Sequence, residues 1–192
     1  EEKPVDPKPV EQKNIKITDI AGHWAEKSVR EVVNKGYMEL DNGKFFPNVD
    51  ATRLGYVKAL AKLAKVNPKD YMNKTVFKDV KSGTTDAGYI NWANEKGIIK
   101  GTGEGDFEGD RNITRQEIAT ILNRYEKAMN LNLSKKDVVD FSDNDKIADW
   151  AKEDVKEAHE KGIFNGKDKN MFDPISNITR AEVAQVVVNM DR

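Results

Sequence analysis

Three arginines in this chain directly follow a threonine, each where a helix is predicted to begin. They are Arg53, Arg115 and Arg180, and the last two lie in the near-identical stretches NITRQE (112–117) and NITRAE (177–182). A cation in the first turn of a helix opposes the macrodipole by about 0.3–1 kcal/mol unless something offsets it. The free N–H groups of a helix start and an adjacent guanidinium can together bind an anion, particularly a carboxylate that accepts two parallel hydrogen bonds. The three arginines are therefore candidate anion-binding residues.

The alternative is an intramolecular ion pair, in which each arginine meets a carboxylate of a neighbouring repeat. Acidic side chains are plentiful enough for this, since the chain has 33 aspartates and glutamates against 32 lysines and arginines. In that case the arginines stabilise the fold and bind nothing external. The sequence favours anion binding and leaves the ion pair open.

The threonines before the arginines are predicted helix caps. In the capping box, a threonine and a glutamate three residues later each bond the backbone N–H of the other, and the threonine is worth about 1 kcal/mol. The pattern occurs at Thr114 with Glu117 and at Thr179 with Glu182. Thr52 precedes a helix in the same way, but Gly55 replaces the glutamate. We expect a weaker helix start and a less certain groove in that repeat.

The threonine–arginine steps belong to a longer repeat. In order, each copy has an aspartate two residues after an apolar residue, a Lys-Gly step, a phenylalanine ten residues after that glycine, and Thr-Arg. The aspartates are Asp19, Asp79 and Asp143, the glycines are Gly36, Gly97 and Gly162, and the phenylalanines are Phe46, Phe107 and Phe172. Four landmarks in the same order three times indicate tandem repeats.

Each repeat is predicted to form helix A, a loop and helix B. Apolar residues recur at helical spacing, the Lys-Gly step ends helix A, and Thr-Arg begins helix B. One helix pair cannot bury both faces, so we expect an all-α fold in which three helix–loop–helix repeats form a single pseudo-three-fold, trimer-like unit around a central three-helix bundle. The predicted repeats span 15–73, 74–137 and 138–192.

Residues 1–14 contain Pro4, Pro7 and Pro9 among charged residues and are predicted to be an extended linker. We expect that another domain precedes this linker and that the chain is the C-terminal module of a larger protein. The segment lacks the apolar core of a signal peptide.

Composition narrows the function classes. A net charge of -1 excludes the one-sided basic surface of a nucleic-acid binder. The absence of cysteine excludes disulfides, zinc–thiolate sites and a cysteine nucleophile. No apolar run approaches the ~18 residues of a membrane span, so membrane insertion is not expected.

No catalytic arrangement recurs in the repeats, and we expect neither an enzyme nor a cofactor. His23 and His159 occupy non-equivalent positions, which disfavours a metal pair or a catalytic triad. Aspartates cluster at Asp143, Asp145 and Asp149, and again at Asp168 and Asp173, without the spacing of an EF-hand calcium loop. Turn and capping functions are predicted for them, and no metal site.

The repeated order resembles the S-layer homology module. The residues that carry the resemblance are His-Trp-Ala at 23–25, the Lys-Gly steps, the loop phenylalanines and the Thr-Arg-Ala-Glu motif, and the match covers about residue 15 to the C-terminus. Three tandem copies are usual in that family. The resemblance implies an extracellular, non-catalytic module that holds its host protein on a bacterial cell wall or S-layer. It further implies a pseudo-trimer, here a monomer, that binds an anionic secondary cell-wall polysaccharide in grooves between repeats. Binding in this family is typically through a pyruvylated amino sugar, pyruvylated N-acetylmannosamine.

The family's ligand-contacting arginine corresponds to Arg53, Arg115 and Arg180. The further candidate ligand-binding residues are Thr114, Thr179, Gly101, Gly166, Lys100, Trp24 and Trp150, and the candidate caps are Thr52, Glu117 and Glu182. Leu40 replaces the glycine of the other repeats and is expected to crowd a groove. Because of Leu40 and Gly55, we rank the Arg115 and Arg180 sites above the Arg53 site as candidate ligand-binding sites.

Two alternatives stay open at this stage. An aromatic residue at the start of an amphipathic helix is more often part of the core than a surface for stacking sugars, so Trp24 and Trp150 fit either position. A protein–protein module of surface-layer assembly is the second function class. We expect Arg115→Ala and Arg180→Ala to weaken polysaccharide binding without unfolding the chain, because removing a surface arginine from a helix start should not destabilise it.

Overall fold

The computed structural model describes residues 15–74 and 76–191, and the predicted linker at 1–14 lies outside this part of the chain. Each predicted repeat contributes two α-helices. Their bounds are α1 Glu26–Asn34, α2 Arg53–Leu63, α3 Thr85–Glu95, α4 Arg115–Ala128, α5 Lys152–Glu160 and α6 Arg180–Met190. Short 3-10 helices lie at Pro68–Asp70, Asn144–Lys146 and Asp168–Asn170. Within the described ranges, isolated β-bridges occur but no strand, so the all-α prediction is confirmed.

The ends of the helices follow the sequence signals. Thr114 and Thr179 form complete capping boxes with the glutamates three residues later. Thr52 accepts a hydrogen bond from the N–H of Gly55, at 3.1 Å, without the reciprocal carboxylate. At the other end, the glycines of the Lys-Gly steps have positive φ and stop the A helices, as predicted. These glycines are Gly36, Gly97 and Gly162.

The extensive helix contacts join different repeats. Helix α2 packs on α3, α4 packs on α5, and α6 packs on α1, so each B helix packs on the A helix of the next repeat, in cyclic order. Helix α2 also contacts α6. The central bundle of three B helices remains a prediction.

A ring of backbone hydrogen bonds connects the segments that precede the B helices. The N–H of Ala51 donates to the carbonyl of Ile178 at 2.8 Å, Ile178 donates to Ile113 at 3.1 Å, and Ile113 donates to Ala51 at 3.1 Å. These residues come from the first, third and second repeats, respectively. The first and last repeats are therefore bonded as directly as the neighbours in sequence.

One aspartate fixes the loop of each repeat. The carboxylate of Asp143 accepts hydrogen bonds from the N–H groups of Phe172 and Asp173, at 2.7 and 2.8 Å. Asp79 accepts the equivalent pair from Phe107 and Glu108. These bonds bring the buried loop phenylalanine over the core of its own repeat.

In the first repeat the prediction chose the wrong phenylalanine. Asp19 binds the N–H groups of Phe45 and Phe46, and Phe45 is the fully buried residue, whereas Phe46 is partly exposed. The loop of this repeat is one residue shorter, so counting ten residues from Gly36 overshoots by one. Phe46 has the positive φ found at Glu108 and Asp173.

Two lysines of the Lys-Gly steps connect repeats. Lys161 is buried and pairs with the buried Glu126 at the end of α4, at 2.7 Å. Lys35 pairs with Asp191, just after α6, at 2.8 Å, and these hydrogen bonds raise the pKa of the lysine. Lys96 forms no ion pair with the described residues. The A helices of the first and third repeats are thus clamped to the B helix of the preceding repeat.

Candidate functional site

The three arginines bind backbone carbonyls of the next repeat. Arg53 donates from Nε to the carbonyl of Phe107 at 2.9 Å and from Nη2 to that of Lys100 at 2.7 Å. Its guanidinium also lies over the Phe107 ring, 5.1 Å from the ring centre. Only 7% of the residue is exposed. Burial lowers the pKa of this guanidinium, which still remains charged because its unperturbed value lies far above neutral pH.

The same contacts recur at the other two arginines. Arg115, 3% exposed, donates to the carbonyl of Phe172 at 2.6 Å, and Arg180 donates to that of Phe45 at 2.8 Å. A second bond runs from Nη2 of Arg180 to the carbonyl of Glu39 at 3.0 Å. Each arginine thus bonds its own repeat to the loop of the next, and Arg180 closes the cycle onto the first repeat.

The backbone at the start of each B helix is already bonded internally. The N–H of Arg53 donates to the carbonyl of Arg111 at 2.9 Å, and the next N–H, of Leu54, donates to Gly109 at 2.9 Å. Equivalent pairs occur at the starts of α4 and α6. The expectation that free N–H groups at these helix starts bind an anion is therefore wrong, because loop carbonyls of the next repeat occupy them.

The ion-pair alternative holds at one arginine of the three. Arg115 Nη1 lies 2.7 Å from Glu182 Oε1, and the two residues belong to neighbouring repeats. Glu117, the equivalent of Glu182 in the second repeat, pairs with Arg111 at 2.7 Å. In the described ranges, neither Arg53 nor Arg180 makes an ion pair.

One cleft, called here the Arg115 groove, combines all three repeats. It has a volume of about 200 Å³. Its residues are Trp24, Arg115, Ile163, Phe164, Asn165, Gly166, Lys167, Glu182, Gln185, Val186 and Asn189. Trp24 belongs to the first repeat, Arg115 to the second and the remainder to the third. An indole, amide side chains and charged groups therefore border the same cleft.

A second cleft, the Arg180 groove, occupies the equivalent position beside α2. It measures about 110 Å³ and is lined by Tyr37, Met38, Glu39, Gly55, Lys58, Lys62 and Arg180. Lys58 and Lys62 correspond in the repeat to Gln185 and Asn189 of the Arg115 groove. The Arg180 groove is therefore the more cationic of the two.

Both candidate tryptophans lie on the surface. Trp24 is 64% exposed and Trp150 is 58% exposed, so the core interpretation of these residues is wrong. Trp92, in contrast, is buried against Tyr125. Each exposed indole lies two residues before the first residue of its A helix, α1 or α5.

The loop glycines face the protein interior. A Cβ at Gly101 would lie 2.7 Å from the Phe77 ring, and one at Gly166 would lie 3.3 Å from the Phe141 ring. The first repeat has the smaller Ile17 at the position of these phenylalanines, and Leu40 packs against the core there. In the first repeat, a larger residue at position 40 accompanies a smaller residue at position 17, so the core volume is conserved. Core packing therefore explains Leu40 better than the expected crowding of a groove.

The remaining candidates make backbone or capping contacts. Lys100 contributes its backbone carbonyl to Arg53 while its side chain is exposed. The hydroxyls of Thr114 and Thr179 bond the carboxylates of Glu117 and Glu182, as caps do. These threonines stay candidate ligand-binding residues without an observed contact that assigns the function.

Comparison with known proteins identifies the repeats. The family model described as "S-layer homology domain" matches residues 16–54, 76–119 and 140–184. The chain belongs to this family. The three tandem repeats predicted from the sequence are confirmed, and the membership indicates a cell-surface location.

The S-layer homology repeats occur in relatives of several kinds. An amylopullulanase of Thermoanaerobacterium thermosulfurigenes is 32% identical over 176 residues, 91% of this chain and 9% of the relative. An S-layer protein of Bacillus thuringiensis subsp. finitimus is 30% identical over 173 residues, 90% of this chain and 21% of the relative. A cellulosome-anchoring protein of Acetivibrio thermocellus is 28% identical over 162 residues, 80% of this chain and 34% of the relative.

The chain thus spans about a tenth to a third of the length of these relatives. What the enzymes and the S-layer proteins share with it is a non-catalytic module for attachment to the cell surface. In the described ranges, no helix is both long and apolar enough to cross a bilayer.

Proposed function

We propose that this S-layer homology module binds an anionic, pyruvylated secondary cell-wall polysaccharide in the grooves between its repeats. The observation that carries the proposal is the Arg180 groove, where a guanidinium, two lysines and the ring of Tyr37 line one cleft. Guanidinium and ammonium groups bind carboxylates through charge-assisted hydrogen bonds. A pyruvyl group supplies such a carboxylate on a sugar.

The Arg115 groove supplies the other contacts that a sugar chain needs. Trp24 presents an exposed aromatic face, and an aromatic ring packs well against the apolar face of a pyranose. Gln185 lines the same cleft, and a side-chain amide can both donate hydrogen bonds to sugar hydroxyls and accept them. Trp150 occupies the position in the third repeat that Trp24 occupies in the first. We assign it the same sugar-packing function at the repeat boundary beside Arg53.

The module acts as a monomer that anchors a larger secreted protein. Among the relatives, one is named a cellulosome-anchoring protein and others are named S-layer proteins, and the enzymes carry the same repeats beside a different activity. The same attachment module, joined to different remaining parts of each protein, accounts for this distribution. The wall polymer is therefore the partner that these proteins have in common.

Retention on purified bacterial cell-wall sacculi tests the proposal. The protein should sediment with native sacculi that carry pyruvylated polysaccharide, and lose this retention when the polysaccharide is removed or lacks pyruvate. Val139→Ala, at an exposed position outside both grooves, is the matched control for surface substitutions. Unchanged retention on stripped sacculi would favour peptidoglycan or a protein partner and contradict the proposal.

A further inference from the structure

The third residue of each B helix differs among the repeats in a way that changes its groove. The residue is Gly55 in α2, Glu117 in α4 and Glu182 in α6. In the Arg115 groove, Glu182 bonds the guanidinium through Oε1 at 2.7 Å, while Oε2 accepts from the N–H of Thr179 at 2.9 Å. An internal carboxylate thus occupies the position beside Arg115 where a carboxylate of a ligand would bind.

Gly55 leaves the same position beside Arg180 without a side chain. Both residues line the Arg180 groove, as Glu182 and Arg115 line theirs. Arg180 uses Nε and Nη2 on backbone carbonyls, and among the described residues its Nη1 has no hydrogen-bond partner. One guanidinium nitrogen therefore remains for a ligand.

The other charges near Arg180 leave this position open. The carboxylate of Asp19 accepts the two loop N–H groups of its repeat, and the carboxylate of Glu39 pairs with Lys62. Lys58 pairs with Asp86 at 3.0 Å. The side chains of Glu39 and Asp86 are 68% and 45% exposed, and ion pairs open to solvent contribute little, so both lysines can turn toward a bound anion at small cost.

We infer that Gly55 determines charge specificity, a conclusion that rests on the proposed polysaccharide function. The Arg180 groove binds the carboxylate-bearing sugar residue. In the Arg115 groove, Glu182 neutralises the guanidinium, so that groove binds an uncharged residue of the same polymer against Trp24. The second repeat also retains a carboxylate, because Glu117 stands at the position of Gly55 and is bonded by Arg111.

The variants Gly55→Glu and Gly55→Ala separate this inference from a packing effect. A Cβ at residue 55 lies 3.2 Å from the Thr52 hydroxyl, and the capping boxes of α4 and α6 show that a threonine cap and a glutamate fit this arrangement. Both substitutions should raise the melting temperature, since glycine is a poor helix former. Only glutamate places a carboxylate beside Arg180.

Calorimetric titration with a glycoside of pyruvylated N-acetylmannosamine, and with the same glycoside lacking pyruvate, is the test. Gly55→Glu should lose at least about tenfold in affinity for the pyruvylated sugar while Gly55→Ala binds like the wild type. Glu182→Gln should add a second binding site for it. Equal affinities of the two Gly55 variants would overturn the inference alone. A wild type that does not bind the pyruvylated sugar would overturn the proposed function as well.

Discussion

Arg115 and Glu182 form an ion pair of 2.7 Å between neighbouring repeats, and both line the same groove. The equivalent residues in the Arg180 groove are Arg180 and Gly55, which cannot form an ion pair. Two arginines in equivalent positions therefore meet different electrostatic environments. The ion pair that the sequence left open is present in the Arg115 groove, and the proposed anion binding is assigned to the Arg180 groove.

The arginines are also structural, and Arg53→Ala should destabilise the chain. The substitution removes two hydrogen bonds from a charged donor, and it takes this donor from the buried carbonyl of Phe107 and from the carbonyl of Lys100. We expect a loss of about 2–4 kcal/mol in the free energy of unfolding, measured by urea denaturation. Lys16→Ala, at an exposed position, is the control. A change below about 0.5 kcal/mol would show that these bonds do not stabilise the fold.

This revises the expectation that Arg115→Ala and Arg180→Ala leave the fold intact. That expectation assumed surface side chains, whereas Arg115 is buried and Arg180 is half-buried. Loss of binding in either variant is informative only if its stability is measured alongside. Substitutions at Gly55 avoid this ambiguity because they add atoms to the groove and remove no bond.

Lys161→Ala should cost about 3–5 kcal/mol, because it leaves the buried carboxylate of Glu126 without its cation. The matched control is Lys96→Ala. Lys96 occupies the same position in the second repeat and is exposed. At the end of the preceding B helix, Ala64 replaces the acidic residue of the other repeats. Thermal unfolding of both variants checks the contrast. Equal effects would mean that the pairing across the repeat boundary does not decide stability.

The loop aspartates should make the stability of the fold depend on pH. Burial raises the pKa of Asp19 and Asp79, but the backbone N–H donors lower it further, so each lies below its ordinary value of 3.8. A lowered folded pKa contributes stability that is present above pH 4 and is lost as the pH falls through the folded pKa.

For Asp143, which makes the same two bonds while buried, we expect Asp143→Asn to cost about 2–3 kcal/mol at pH 7. The exposed Asp145→Asn is the control, and chemical denaturation gives both values. In Asp19→Asn and Asp79→Asn, the deficit relative to the wild type should shrink below pH 4. A deficit that stays constant down to pH 2.5 would argue against carboxylate bonding of the loops.

Trp24→Ala should lower affinity for the polysaccharide roughly three- to tenfold, the range expected when one aromatic stacking contact is lost. Its free energy of unfolding should stay within about 0.5 kcal/mol of the wild type, because the indole is exposed. Retention on sacculi and urea denaturation measure the two quantities. Loss of stability without loss of retention would assign Trp24 to the fold.

The sequence predicted the helices, their caps and the three repeats, since these depend on local patterns such as Thr179 followed by Glu182. It did not predict the partners of Arg53 and Arg180. Those partners are backbone carbonyls on another repeat. Because every residue has a backbone carbonyl, the residue type does not indicate which one accepts the bond. The positions of Phe45 and Leu40 were missed because the first repeat has a shorter loop and a compensating Ile17, which appear only when the loops are superposed.

A crystal structure of the chain with a pyruvylated N-acetylmannosamine glycoside would show directly where the anionic sugar binds. We expect the pyruvyl carboxylate in the Arg180 groove, about 3 Å from Nη1 of Arg180, above Gly55. A carboxylate bound to Arg115 with Glu182 displaced, or a sugar bound outside the grooves, would contradict it.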